Sequence, residues 1–319
     1  MGSLAGGAQI ATTMLGFVVI LITIERFSRR QQKVYQQAGS RFRDLPAYPL
    51  RGLPRILAVV ACLLPVLIGF IIPLVVLLRL AVIYFDVSWT SNFRTYALNS
   101  LLLSVVAAMM ALFVALLIAY GQRLYGGRML SIAARISSLG YALPGAVLGI
   151  GVLVPFGYFD NSLDLAMREM FGISTGLMLS GTLVAIIFAY VVRFLAIALG
   201  QVESSLAKVP PSLDMAARTL GYRAGETLFR YHVPLIRGGM LTAIIIVFVD
   251  CMKELPATLI LRPFNFETLA THVYYFASDE MLGEAALGSL TIVLVGLVPV
   301  LMLSIVLSRE RAARLSVGL

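Results

Sequence analysis

The sequence predicts an all-α polytopic membrane protein on three observations. Hydrophobic residues make up 60% of the chain and charged residues only 13%, with a mean hydropathy of +0.93, whereas soluble domains average about 25% charged residues. Seven apolar runs are each long enough to cross a bilayer as a helix. The basic residues behind the net charge of +9 lie between those runs. Lipid, and not nucleic acid, is therefore the expected partner of most of the surface.

The apolar runs define the predicted membrane helices. Each approaches the roughly 20 apolar residues that a helix needs to cross the hydrocarbon core. The predicted spans are 8–24, 56–84, 98–120, 131–155, 176–200, 239–261 and 284–307. The second run is long enough to tilt in the membrane or to begin as an interfacial helix.

The positions of the basic residues orient these helices. If the first helix enters the membrane from outside, 19 of the 25 Lys and Arg residues lie on the cytoplasmic side or at its edge. This asymmetry is what the positive-inside rule requires. The resulting layout is a leading helix over 1–24, a basic cytoplasmic linker over 25–55, a six-helix domain over 56–308 and a cytoplasmic tail over 309–319.

The polar residues indicate no active site. Both histidines, His232 and His272, fall in predicted loops, and the two cysteines, Cys62 and Cys251, are far apart in apolar runs. No lysine follows a glycine, which excludes a nucleotide-binding loop ending in Gly-Lys. We therefore expect no catalytic residue, no metal site and no cofactor on this chain.

The cytoplasmic loop 201–238 is predicted to form two short helices joined at a fixed bend. Ser212 suits the cap of the first helix, and Asp214 suits its positive end. Gly221 is placed to end that helix in a left-handed conformation. A second helix is predicted from about Ala224.

A small apolar face is expected on the first of these helices, formed by Leu213, Ala216, Ala217 and Leu220. The second helix is predicted to end at Pro234, where the next membrane span begins. Two helices at a fixed bend form a projection that can sit in the cleft of a partner protein. An amphipathic hairpin without a partner is the alternative.

The spacing of this loop resembles the signature of binding-protein-dependent ABC importer permeases. That signature is Glu-Ala-Ala, three residues, Gly, nine residues and Ile-x-Leu-Pro. The chain matches it at Ala216, Ala217, Gly221 and Pro234. It departs from the signature at Met215, where the family has glutamate and where Asp214 is adjacent, and at Tyr231 and Val233.

The resemblance implies a fold and a set of partners. The fold is a helical bundle of the ABC importer permease type in a bacterial inner membrane. The loop would couple that bundle to a separate ATPase dimer, which would bind the ATP. A second permease half, fused or separate, and an external substrate-binding protein are the other expected partners. The outer segments 157–175 and 262–283 carry acidic and aromatic residues that suit such docking, although solvated loops are an equal alternative.

Ionisable residues in the span 239–261 mark a candidate translocation pathway. Asp250 would share a helix face with Lys253 and Glu254, and each charge at membrane depth costs of order 2.5–3.5 kcal/mol. A break is expected at Pro256. A purely structural ion pair is the alternative. Arg193, near the cytoplasmic end of its span, is expected to extend its charge to the membrane surface.

Two stretches resemble the ferric-iron permeases of this superfamily. One is Lys-Glu-Leu-Pro-Ala-Thr-Leu-Ile-Leu-Arg-Pro-Phe at 253–264, and the other is Tyr-Tyr-Phe-Ala-Ser-Asp-Glu at 274–280. The resemblance implies import of ferric iron that arrives already chelated by the binding protein. It also implies that residues 1–55 are the end of a preceding half and its linker. Thiamine, phosphonate, polyamine and sulfate are alternative cargoes, and a non-transporting membrane scaffold is the alternative from another class.

Overall fold

The computed structural model describes residues 49–137 and 139–317, together with scattered residues between positions 6 and 24. Most of the predicted leading helix over 8–24, most of the predicted linker over 25–55 and the last two residues of the tail lie outside the described residues. Within the described part, the chain is helical and contains no strand.

The described residues form eleven helices, two of which contain a single π turn. In chain order they are α1 (Leu53–Ile83), α2 (Phe85–Ser88), α3 (Ser91–Tyr125), α4 (Arg128–Ser137), α5 (Gly145–Phe171), α6 (Leu183–Leu206), α7 (Pro211–Thr219), α8 (Ala224–Met252), α9 (Pro256–Leu261), α10 (Leu269–Ser278) and α11 (Leu282–Val317). Six of them, α1, α3, α5, α6, α8 and α11, contain stretches long and apolar enough to cross a membrane. This confirms the predicted six-helix core and the all-α class.

The bounds of the span predicted over 131–155 are wrong. The chain there forms the short helix α4 and a 3₁₀ turn before α5 begins at Gly145. At this turn Gly140 lies so close to α6 that an added Cβ would overlap the carbonyl oxygen of Val192, so a residue without a side chain is required there. Since α5 then continues to Phe171, most of the outer segment predicted as a loop is helical.

Helices α3, α6 and α8 pack against one another at the centre of the bundle. Their contact faces are rich in alanine at a spacing of four residues. Small residues let helix backbones approach closely, which is the usual basis of helix association in membranes. The buried alanines are Ala107, Ala111, Ala115 and Ala119 on α3, and Ala185 and Ala189 on α6.

The remaining helices surround this centre. Helix α11 packs against the second part of α1, where Ala81, Ala286 and Leu290 form a small buried cluster. Helix α9 lies against α5, where Ile260 fills the space beside Gly149. The apolar residues of α1 are largely exposed, as expected for a helix that faces lipid or another membrane chain.

Candidate functional site

The segment that follows α6, contains α7 and includes the first turns of α8, residues 207–232, is called the elbow below. Its helix α7 ends at Thr219 with Leu220 as the cap residue, and Gly221 follows with a left-handed φ of 82°. The amide of Tyr222 donates to the carbonyl of Ala217 at 3.0 Å, and the amide of Gly221 donates to the carbonyl of Arg218 at 3.0 Å. These two bonds form a Schellman motif. The left-handed conformation predicted for Gly221 is confirmed.

Two other local predictions for the elbow are wrong. Ser212 does not cap α7, because the helix already begins at Pro211 and its cap position is Pro210, with no side-chain hydrogen bond. The second helix does begin at Ala224, but it does not end at Pro234. It continues through a π turn, Leu228–His232, into α8, and Pro234 sits in the first turn after it.

The apolar face predicted on α7 is divided between two sides of the helix. Ala217 is buried and Leu213 packs against the bundle core. Ala216 points outward beside Met215 and Leu220, which are 62% and 72% exposed. One side of this short helix fastens it to the bundle, so the opposite side is left exposed, with Met215, Ala216 and Leu220 beside polar Arg218 and Thr219.

Arg123, at the inner end of α3, joins several parts of the elbow. Its Nε atom lies 2.8 Å from Oδ2 of Asp214. Its Nη1 atom donates to the carbonyl of Leu206 at 2.6 Å, and its Nη2 atom donates to the carbonyl of Val209 at 2.8 Å. The guanidinium therefore caps the end of α6 and binds α7 at the same time.

His232 completes this cluster from the side of α8. The side chain is fully buried, and its Nε2 atom lies 2.6 Å from Oδ1 of Asp214. Burial alone would raise the pKa of the Asp214 carboxyl, but the hydrogen bonds and charges of His232 and Arg123 outweigh burial and hold the pKa below its ordinary value. The ring of Tyr120 is tilted against the imidazole, with centroids 5.4 Å apart, and its hydroxyl donates to the carbonyl of Ala224 at 2.7 Å.

A second polar cluster lies inside the membrane bundle, at the break between α8 and α9. Glu254 is 6% exposed, and its Oε2 atom lies 3.3 Å from Nε of Arg193. Its Oε1 atom accepts from the amide of Ala257. Next to it, the hydroxyl groups of Tyr190 and Thr258 lie 2.5 Å apart. The break in the helix is thus surrounded by polar groups that face inward.

The expectation that Arg193 extends to the membrane surface is wrong. Helix α6 runs to Leu206, so Arg193 lies roughly 20 Å from its inner end and roughly 15 Å from Leu183 at its outer end. From the middle of the helix, the guanidinium turns inward to Glu254 and to the carbonyl of Leu143. Arg193 therefore sits at membrane depth as part of a buried ion pair.

The prediction that Asp250 shares a helix face with Glu254 is also wrong. Helix α8 ends at Met252, before the predicted break at Pro256, and the irregular residues redirect Glu254 into the bundle. Asp250 pairs with Lys253 at 2.9 Å, as its spacing predicts. The side chain of Lys253 is 62% exposed, so the two neighbouring charges at this break face opposite environments.

Comparison with known proteins assigns a family to this arrangement. Residues 111–311 match the family described as "Binding-protein-dependent transport system inner membrane component". The chain belongs to this family. The family description and the six apolar spans make it a multi-pass inner-membrane protein. The resemblance seen in the loop signature is therefore confirmed over more than half of the permease chain.

Curated relatives of this permease have different names. An Fe(3+)-transport system permease protein of Haemophilus influenzae is 25% identical over 213 residues, which cover 67% of this chain and 39% of the relative. A protein of Salmonella typhimurium, provisionally named a 2-aminoethylphosphonate transport system permease protein, is 26% identical over 217 residues, which cover 74% of its length. The chain thus matches about two fifths of the length of the ferric relative.

Solved structures share the fold. In a bacterial alginate ABC transporter, crystallised with an alginate-bound periplasmic protein, one chain superimposes with a TM-score of 0.61 at 16% identity. The match covers 79% of this permease and 94% of that chain. A likeness at this identity supports the helical arrangement of the permease.

Several residues of these clusters were missed by the sequence reasoning. Arg123 and His232 looked like ordinary loop residues, although His232 stands within the matched loop signature. Tyr190 carried no signal at all, because a tyrosine in an apolar span is common. Contacts between different helices bring these side chains to Asp214 and Glu254, and for Arg123 and Tyr190 those helices are distant in sequence.

Proposed function

We propose that this permease forms one half of the translocation path of an ABC importer that moves ferric iron, delivered by an external binding protein. A separate ATPase dimer drives the cycle, and a second membrane half, fused or separate, completes the path. The observation that carries the proposal is the elbow, which combines the family spacing with a helix ended by left-handed Gly221. The projection lies on the side predicted to be cytoplasmic.

The elbow is the proposed contact with the ATPase. The candidate coupling residues are Pro234, just after the elbow, and six residues within it: Ser212, Asp214, Met215, Ala216, Ala217 and Gly221. The outward side of α7 presents Met215, Ala216 and Leu220 beside exposed Arg218 and Thr219, so the proposed contact combines an apolar patch with polar groups. Asp214 faces inward to Arg123, which supports an internal role for this acid in place of a direct contact with the ATPase.

The candidate translocation pathway runs past the break between α8 and α9. Lys253 is adjacent to Glu254, which contacts Arg193 in the middle of α6. An exposed ammonium group at that depth is costly against lipid, so the face that bears it is expected to meet water or the second membrane half. Asp250, Lys253 and exposed Pro256 are therefore the proposed lining residues. Glu254 does not line the proposed path but stabilises the break behind these residues through its contact with Arg193.

Ferric iron is the proposed cargo because of the stretch at 253–264 and the relative from Haemophilus influenzae. The phosphonate relative supports an alternative oxyanion cargo, and thiamine, polyamine and sulfate stay open. Uptake of radiolabelled ferric iron and of 2-aminoethylphosphonate, compared in cells with and without this chain, tests the choice. Chain-dependent phosphonate uptake without iron uptake would replace the proposed cargo.

A membrane scaffold without transport activity is the competing class of function. A scaffold needs no ATPase, whereas the proposed importer must bind one through the elbow. Purification of the tagged chain from its native membrane, followed by identification of the bound subunits, separates the two. Recovery of the chain without an ATPase, from membranes that contain the cognate ATPase, would favour the scaffold.

A further inference from the structure

We infer that Arg123, Asp214 and His232 form a lock that makes the elbow move as one rigid body with the inner ends of α3 and α8. The inference rests on the proposed function, since it assigns positioning residues to the movement that an ATPase would drive. Two roles are thereby distinguished on α7. Its outward surface contacts the ATPase, and its inward residues transmit the movement of the elbow to α3 and α8.

Arg123 supplies the first half of the lock. Its guanidinium contacts four acceptors from the end of α6 to α7: Asp214 and the carbonyls of Leu206, Val209 and Pro210. A planar guanidinium holds several acceptors in one fixed geometry, which a lysine cannot reproduce. The start of the elbow and helix α7 are therefore fixed to the same residue at the end of α3.

His232 supplies the second half, from α8. It is completely buried, and its Nδ1 atom has no hydrogen-bond partner among the described residues. The contact with Asp214 is thus the hydrogen bond that orients its ring, and an ionised carboxylate requires Nε2 to carry the proton. Asp214 accepts from α3 through one oxygen and from α8 through the other.

The consequence is mechanical. The side chains of Arg123 and Asp214 are only 15% and 16% exposed, so moving α7 away from α3 would separate two poorly solvated charges that neutralise each other. A displacement of α7 by a partner should therefore carry α3 and α8 with it. Helix α8 leads directly to the break beside Lys253, while α3 contacts both α6 and α8 at the centre of the bundle.

The test measures the distance between α7 and α3 in the intact transporter. Spin labels at Ser212→Cys and Tyr125→Cys, both exposed positions, report this distance after exposed Cys62 has been replaced by alanine. With the lock intact, the distance distribution should be narrow and should not change when ATP and orthovanadate are added. In the double variant Arg123→Met/Asp214→Leu, the distance distribution should broaden and should shift when ATP and orthovanadate are added.

Three further variants make the result specific. The double variant removes both members of the Arg123–Asp214 ion pair, so it should still insert and bind the ATPase, whereas Asp214→Leu alone should lower the yield of folded protein. His232→Phe keeps an aromatic ring beside Tyr120 but removes the hydrogen bond, and it should broaden the distribution in part. Arg135→Gln, on exposed α4, should behave like the parent.

Each outcome bears on one proposal. The lock is overturned if the distance distribution of the double variant stays narrow and does not change when nucleotide is added. It is also overturned if the distribution of the parent protein shifts with nucleotide. If the parent binds no ATPase, the proposed function fails. The lock is then still decided without nucleotide, because loss of Arg123 and Asp214 should by itself broaden the distribution.

Discussion

The carboxylate of Glu254 lies 3.3 Å from the guanidinium of Arg193, in the middle of the bundle and beside the backbone of Gly145. The pair joins α6 to two places where membrane helices are interrupted, the start of α5 and the break between α8 and α9. Irregular backbone at membrane depth persists only where protein or water satisfies its polar groups. Glu254 and Arg193 supply some of these partners, since Glu254 accepts from the amide of Ala257 and Arg193 donates to the carbonyl of Leu143.

Removal of one partner of this ion pair should therefore strongly destabilise the folded protein. Arg193→Met leaves a buried carboxylate without its cation, which is expected to cost about 3–5 kcal/mol. The double variant Arg193→Met/Glu254→Gln removes both charges and should recover most of the folded protein. Thermal unfolding of the purified chains in lipid nanodiscs measures the difference. Equal stability of the single and double variants would show that the pair does not hold the break together.

Gly145 should be intolerant of a single methyl group. An added Cβ would lie 2.5 Å from Oε1 of Glu254 and 2.6 Å from Nη1 of Arg193. We expect Gly145→Ala to destabilise the protein by about 1–3 kcal/mol, the usual cost of overpacking. Gly151→Ala in the same helix is the control, since nothing lies within 4 Å of its added Cβ. That control should be neutral, or stabilising by roughly 0.5–1 kcal/mol. Similar unfolding temperatures for both variants would contradict the close contact.

Gly221→Val should abolish the coupling of ATP hydrolysis to substrate, while the protein still inserts. Valine disfavours the φ of 82° found here, and left-handed backbone costs an L-residue roughly 1–2 kcal/mol. Gly221→Asn is the matched control, because asparagine tolerates that conformation better. Substrate-stimulated ATPase activity of the purified complex is the measurement. Normal stimulation in the valine variant would remove the bend of the elbow from the coupling mechanism.

Replacement of Asp250 and Lys253 together should show whether they line the translocation pathway or form a purely structural ion pair. If they line the path, Asp250→Leu/Lys253→Met should assemble normally and yet fail to move substrate, because a neutral pair can be replaced without leaving an unpaired charge. Uptake is measured per amount of protein in the membrane, and each single variant controls for unpaired charge. Undiminished uptake by the double variant would make the pair structural.

The orientation should be visible to a membrane-impermeant thiol reagent. In a chain with Cys62 replaced, Gly225→Cys in the exposed elbow should react only from the cytoplasm. Phe264→Cys should react only from outside, because Phe264 is 100% exposed in the segment between α9 and α10. Buried Cys251 should stay unlabelled. The opposite labelling pattern would reverse the assignment of both faces.

The sequence by itself determined that lipid surrounds most of the protein, that the core has six membrane helices and that α7 is followed by a left-handed glycine. These features depend on local properties: apolar length sets a span, charge in loops sets its predicted orientation, and only glycine takes φ of 82° without cost. The break before Pro256 was predictable for the same reason, since proline cannot continue the hydrogen bonds of a helix.

Only the tertiary structure decided which charges meet. Asp250 and Lys253 are close in sequence and pair as predicted, but Glu254 turns away to Arg193 because α8 ends before it. Asp214 likewise faces Arg123 and not the outer surface of α7. An ionisable group buried away from water takes the partner that packing brings within reach, and that partner can lie on any helix. Spacing along one chain segment cannot identify a partner that lies on another helix.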